Sequence, residues 1–307
     1  MNFIEFKKKF PNEESAIKYF IKLRYQNKVV CTHCGSDKVY KKSESLKLYY
    51  CNNCNNSLSV FKGTIFEKSD TSMIVWFYAI NMFLNAKKGV SACQLQRETG
   101  VTYKTAWRIL KQIRTAMGNI EEKAFIDTII EMDETYVGGK PRKGNNKTNK
   151  DDDDDTPKHT PNKRGRGTSK TPVVGAIDRD KKQVHAKVAL PNAAGVALSG
   201  KQLLEVLGKV CKSENIIITD EFSGYNILKH TNHLHFKVDH TKIFAEGEIH
   251  TNNIESFWAT LKRGILGIYH QVSVKYLQSY VNEFCFRYNN REENMFDLVL
   301  KQSILCC

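Results

Sequence analysis

Four cysteines in two close pairs constrain this chain more than any other feature. Cys31 and Cys34 stand in C-T-H-C, Cys51 and Cys54 in C-N-N-C, and sixteen residues separate the pairs. Two such knuckles can offer four thiolates to one tetrahedral Zn²⁺, and the residues between them, Val39, Tyr40 and Leu46 to Tyr50 among them, suit the hairpin of a zinc ribbon. A unit this small buries little apolar surface, so the expected single structural zinc would supply much of its folding energy. A redox dithiol and unligated buried cysteines are the alternatives, and His33 inside the first knuckle competes as a ligand but reads better as a solvated side chain. The other five cysteines, Cys93, Cys211, Cys285, Cys306 and Cys307, are scattered. That pattern argues against a disulfide framework and for a reducing, intracellular compartment.

The chain has 307 residues, Lys+Arg 47 against Asp+Glu 33, and a formal net charge of +14. Its length suggests more than one domain, and the cationic excess favours a polyanionic partner, nucleic acid ahead of an anionic membrane. Met1 to Lys9 lacks the apolar run of a secretory signal, and no apolar stretch reaches membrane-spanning length, so no membrane partner is expected.

Helical spacing predicts an amphipathic helix from Phe10 to Tyr25 and a buried one from Ser72 to Ala86. From Val90 to Met117 two short helices break at Glu98-Thr99-Gly100, with Ser91 and Thr102 as N-caps, which reads as a helix-turn-helix. In its second helix Lys104, Arg108, Lys111 and Arg114 interleave with Ala106, Ile109, Leu110 and Ile113, a pattern suited to presenting cations to phosphates and base edges. Two packed helices with a basic outer face are the plainer alternative. Strands are predicted at Ile126 to Met132, Val173 to Ile177, Gln183 to Leu190, Ile216 to Thr219 and His233 to Val238. Helices are predicted at Gly200 to Cys211, Asn253 to Arg263 and Val274 to Asn289. This is a mixed α/β layer fold. Lys140 to Pro172, with five consecutive aspartates at 151–155, loses hydrophobic periodicity and reads as a disordered insert. The aromatic residues Tyr276, Tyr280, Phe284, Phe286 and Tyr288 read as a core stripe rather than a base-stacking platform.

Two acidic sites share a context. Asp133 follows an apolar run in I-I-E-M-D-E-T-Y-V-G-G and Asp220 follows another in I-I-I-T-D-E-F-S-G-Y. Carboxylates at the ends of buried strands suit hard divalent cations, although an Asp there is also a common turn former. In H-T-N-N-I-E-S-F-W-A-T-L-K-R-G, residues 250–264, Glu255 and Lys262 lie seven apart and share a helix face. Glu255 can complete a metal site while Lys262, with Arg263 beside it, holds a DNA phosphate; a solvated amphipathic face is the alternative. No P-loop or dinucleotide glycine fingerprint is present.

The cysteine knuckles, M-D-E-T-Y-V-G-G, T-D-E-F-S-G-Y, and H-T-N-N-I-E-S-F-W-A-T-L-K-R-G followed by Y-H-Q-V-S occur in this order along nearly the whole chain. In these motifs the chain closely resembles the zinc-ribbon DDE transposases of ISXO-like insertion sequences, related to Merlin elements. The resemblance implies a multidomain α/β protein: a helix and zinc ribbon over 1–64, a helix-turn-helix region over 65–124, and an RNase H-like catalytic domain over 125–307 with the insert at 140–172. It implies Mg²⁺ or Mn²⁺, two ions, at Asp133, Asp220 and a third residue that is either Glu255 or Asn252, the carboxylate being favoured as the harder ligand. It implies cleavage and joining of double-stranded DNA at element ends and target, by a homo-oligomer acting on DNA inside the cell: cytoplasm or nucleoid in a bacterium, nucleus in a eukaryote. An inert DNA-binding regulator and a nuclease that cuts without joining are the rival functions.

Overall fold

A computed structural model of the chain describes residues 1–42, 46–118, 125, 128–138, 170–190, 198–211, 214–238 and 249–304. Two compact units emerge. One comprises Met1–Lys123, Arg263–Tyr269 and Gln278–Cys307, the other Ala124–Lys262 and His270–Leu277.

The first unit opens with α1 (Phe3–Lys9) and α2 (Glu13–Tyr25), each started by an asparagine, Asn2 and Asn12, whose side chain accepts from the third residue of its helix. Strands β1 (Val39–Lys41), β2 (Leu48–Cys51) and β3 (Ser57–Ser59) form an antiparallel sheet in that order, with Val39 opposite Cys51 and Tyr40 opposite Tyr50. This is the hairpin expected between the knuckles, with a third strand added. α3 (Met73–Asn85) is apolar on most of its surface and buries Trp76, Phe77, Ile80 and Phe83, as a helix through the middle of a core must. α4 (Ala92–Thr99) and α5 (Tyr103–Gly118) realise the expected pair. Ser91 caps the first, and Gly100, at φ +72°, ends it in a left-handed turn that favours glycine. Ribbon and helices share one core, in which Cys31, Cys51, Leu58 and Val60 pack in the same cluster as Phe20, Trp76, Leu95 and Ile113. Residues from 278 onward, expected with the catalytic region, also belong here. Phe286 and, from α9 (Met295–Ile304), Phe296, Val299 and Leu300 complete the same apolar cluster. The short α1 and α9 were not anticipated from sequence.

The second unit is built on a five-stranded sheet: β4 (Ile129–Val137), β5 (Thr171–Asp178), β6 (Gln183–Val188), β7 (Ile216–Thr219) and β8 (Leu234–Lys237), in the order β6-β5-β4-β7-β8. β4, β5 and β6 pair antiparallel, whereas β4–β7 and β7–β8 are parallel. This is the RNase H-like arrangement. α6 (Gly200–Val210) places Leu203, Val206, Leu207 and Val210 in one cluster with Ile130, Met132, Val174, Ala176 and Ile217. The alternate residues of β4 and β5, Glu131, Asp133 and Gly175, face α7 (Asn252–Gly264) on the other side. Two-sided coverage is why these strands read as nearly continuous apolar runs. β4 extends five residues past the predicted end at Met132, so Asp133 stands inside the strand rather than after it. The expected insert lies outside the described residues except for its last three, where β5 begins. α8 (Val274–Asn289) has the predicted bounds, and Phe284 and Phe286 are buried as the core-stripe reading requires.

Candidate active site

The parallel pairing of β4 with β7 ends at Met132 opposite Thr219. Asp133, inside β4, and Asp220, just past the end of β7, are the next residues along, so two acids 87 positions apart become neighbours at the carboxyl end of β7, a usual place for a ligand in such sheets. Oxygens of Asp133, Glu134 and Asp220 all lie within 4.8 Å of one another. Glu134 was missed in the sequence. Strand alternation sends it to the opposite face from Asp133, but past the end of β7 its carboxylate comes round to the same cluster, and the buried Tyr225 hydroxyl donates to its Oε2 at 3.3 Å. Asp220 Oδ1 accepts from the Phe222 N–H at 3.0 Å, which fixes its carboxylate on the turn.

Glu255, on the first turn of α7, accepts from the Thr251 hydroxyl at 2.9 Å and stands outside the 4.8 Å group. Its charge still reaches Asp133. Burial first, then the negative charges of Glu134 and Asp220 and, more weakly, Glu255, pushes the Asp133 carboxyl up to about 7. A crowd of hard oxygens that raises its own central pKa fits a divalent cation, whose charge would relieve the repulsion. Asn252 and Lys262 are exposed on the same helix, and so is Arg263.

A buried carboxylate holds α7 in place. Glu131, two residues before Asp133 and fully buried, accepts from the backbone N–H groups of Asn253 and Ile254 at 2.9 and 3.1 Å and from the Asn253 side-chain amide at 2.7 Å. These are the otherwise orphaned donors at the start of the helix. Arg179 pairs with Glu131 at 2.9 Å and donates to the His250 carbonyl at 2.8 Å. The signal for this clamp was present only as an odd charge in the apolar run of β4.

In the ribbon the four cysteine sulfurs also lie within 4.8 Å of one another, with Cys31–Cys54 at 3.6 Å and Cys34–Cys51 at 3.7 Å. A tetrahedron with Zn–S of about 2.3 Å has edges of about 3.8 Å. The set fits a structural zinc. The Ser36 backbone N–H, then the Asn53 amide, pulls the Cys34 thiol down to about 6, toward the thiolate that binds metal. His33 points elsewhere, its Nε2 lying 2.9 Å from the Lys62 ammonium.

The cations expected to read DNA divide in two. Lys104 and Lys111 are exposed on α5. Arg108 is turned inward and donates to the Ser69 hydroxyl at 2.9 Å. Arg114 requires a correction: it is 3% exposed, bound to the buried Glu283 at 2.8 Å, with its guanidinium 4.0 Å from the Tyr280 ring centroid. It lies one turn from Leu110 and three residues from Met117, so the helical period already put it on the core stripe, and only its charge argued otherwise.

The ISXO2-like transposase domain model matches residues 126–289, and the transposase zinc-ribbon model matches residues 11–57. The chain belongs to the ISXO2-like transposase family. It is 26% identical over 290 residues to an uncharacterized protein in transposable element ISH50 of Halobacterium salinarum, covering 91% of this chain and 92% of that one. It is 29% identical over 117 residues to an uncharacterized transposase-like protein of Haemophilus influenzae, covering 38% of this chain and 90% of that one. Two solved Mos1 assemblies are similar over 74% of this transposase. They are a pre-cleavage transpososome, at 12% identity and TM-score 0.27 over 77% of its chain, and a strand transfer complex, at 14% and 0.30 over 76%. Both are too loosely alike to superimpose sites. Among the described residues no helix is long and apolar enough to cross a membrane.

Proposed function

We propose that this transposase binds the terminal inverted repeats of its element, cleaves a DNA strand there, and joins the freed end to target DNA. The observation that carries the reading is the meeting of Asp133, inside β4, with Asp220, just past the end of the parallel β7, under a helix that bears Glu255. Asp133, Asp220 and Glu255 would hold Mg²⁺ or Mn²⁺, with Glu134 beside them; Glu255 and Asn252 are both exposed, and the carboxylate is favoured over the amide as the harder, charged ligand. Two such ions, when bound, activate an attacking oxygen and stabilise a departing one. In the first step a water oxygen attacks phosphorus, the P–O3′ bond breaks, and the water proton is balanced by the 3′-hydroxyl that leaves. In the second, that 3′-hydroxyl attacks a target phosphodiester and loses its proton as the target's own 3′-oxygen departs and gains one.

One Zn²⁺ on Cys31, Cys34, Cys51 and Cys54 would hold the ribbon rigid. Lys104, Lys111, Lys262 and Arg263 would contact phosphates, in keeping with their exposure and the net charge of +14. Holding two element ends at once calls for a homo-oligomer, and such a substrate keeps the protein on DNA inside the cell.

The test is an in vitro joining assay with labelled element ends, target DNA and Mg²⁺ or Mn²⁺. Metal-dependent joining is expected for the wild type, with a loss of at least about 1000-fold in Asp133→Ala, Asp220→Ala and Glu255→Ala, and a lesser loss in Asn252→Ala. End binding without cleavage would replace this reading with a DNA-binding regulator, and cleavage without joining would replace it with a nuclease.

A further inference from the structure

We propose that Trp258 is a positioning residue that sets the orientation of the Asp133 carboxylate for metal, an inference that rests on the acidic cluster being the metal site. The Trp258 indole N–H donates to Asp133 Oδ2 at 3.1 Å, and the ring is 3% exposed. An indole has one donor and no acceptor, so this contact spends the whole polar capacity of Trp258 on one oxygen of one acid.

The approach is built into the sheet as well as the helix. Gly175 on β5 stands directly opposite Asp133 in the antiparallel register. A Cβ there would lie 2.7 Å from Cη2 and Cζ2 of Trp258 and 3.0 Å from Ile254 Cδ1, so the indole seats in the hollow that glycine leaves. Trp258 is also one helical turn beyond Glu255, so α7 delivers the third acid and the donor for the first from a single face. Glu131 fixes the start of the same helix. Asp133 is thereby held by one oxygen, which leaves the other for a cation. Groups that orient a metal ligand in this way commonly change metal affinity by roughly 10- to 100-fold when removed.

The experiment is a Mn²⁺ titration of the zinc-loaded full-length chain, followed by electron paramagnetic resonance, on wild type, Asp220→Asn, Trp258→Phe and Gly175→Ala. Trp258→Phe keeps one aromatic ring, deletes the donor and leaves a small cavity over Gly175, and Gly175→Ala displaces the indole while leaving both partners intact. Both are expected to weaken Mn²⁺ binding at least about tenfold, with Trp258→Phe still cooperatively folded, at a somewhat lowered thermal midpoint, in the absence of added Mn²⁺. A parallel measurement needs no variant: in ¹⁵N-tryptophan-labelled wild type, one of three indole N–H resonances should move on adding Mg²⁺. Unchanged Mn²⁺ affinity in a folded Trp258→Phe protein, or three indole resonances indifferent to Mg²⁺ that the protein demonstrably binds, would overturn the role given to Trp258. Failure of the underlying site looks different: Mn²⁺ binding would be absent in the wild type or unaffected by Asp220→Asn.

Discussion

Asp133 sets stability against function at a single side chain. Its pKa of about 7 lies above the ordinary 3.8, so the folded state favours the protonated acid. The sign follows from that displacement. Its stabilising contribution is complete below about pH 4 and is lost as pH rises through 7, because an ionised Asp133 meets burial and the charges of Glu134 and Asp220. Asp133→Asn removes the charge and keeps an oxygen to accept from Trp258. Without added divalent metal it should be more stable than the wild type at pH 8, by on the order of 2 kcal/mol, with the gap closing toward pH 4 and joining abolished throughout. Denaturant melts at the two pH values check this, and a wild type as stable as the variant at pH 8 would contradict it. Mg²⁺ should narrow the gap at pH 8 by stabilising only the wild type.

At the scale of elements, α5 separates two kinds of cation that composition alone treats as equal. Lys104 and Lys111 are exposed, whereas Arg114 is buried on Glu283. Replacing either lysine with alanine should leave the fold intact, weaken end binding, and lower the slope of log affinity against log salt by about 1 for each phosphate that the variant no longer neutralises. Arg114→Ala should instead destabilise the chain by about 1.5–3 kcal/mol: it removes a buried charge-assisted hydrogen bond and the guanidinium packed on Tyr280, while Glu283 keeps Arg287 and the Tyr269 hydroxyl. Binding isotherms at several salt concentrations, paired with thermal melts, distinguish the two; an Arg114→Ala protein that melts like the wild type and loses only DNA affinity would refute the assignment. The same helix shows where sequence reading works and where it stops. Cysteine spacing, the caps at Ser91 and Thr102, and the like contexts of Asp133 and Asp220 are local, and each was legible because the chemistry sits within a few residues. The Glu131–Arg179–Asn253 clamp joins residues up to 122 apart, and Glu134 lies with Asp133 and Asp220 across two strands. Such features are set by strand register, which periodicity alone does not reveal. Arg114, by contrast, is readable from the helical period, which places it on the buried stripe of α5 despite its charge.

At the scale of the whole molecule, among the described residues the apolar cluster around the ribbon and the one between α6 and the sheet have no member in common. One gathers the ribbon, α3, α5 and α9; the other lies between α6 and the sheet that carries Asp133 and Asp220. The groups that could hold metal divide in the same way, four thiolates in the first unit and the carboxylates in the second. Separate cores with separate ligands need not unfold together, so a single two-state transition is not the expectation for this chain. Because Cys31 and Cys51 are packed in the same cluster as Phe20 and Trp76, losing zinc should loosen the helices of the first unit and not just the ribbon. Calorimetry of the zinc-loaded protein should therefore show two transitions. Cys34→Ser should lower or remove one of them and reduce bound zinc below one per chain. Mg²⁺ should raise the other, and Asp220→Asn should cancel that rise. A single transition that moves as a whole with both zinc loss and Mg²⁺ would mean that the units fold as one, and that ribbon integrity and the acidic site are coupled in stability.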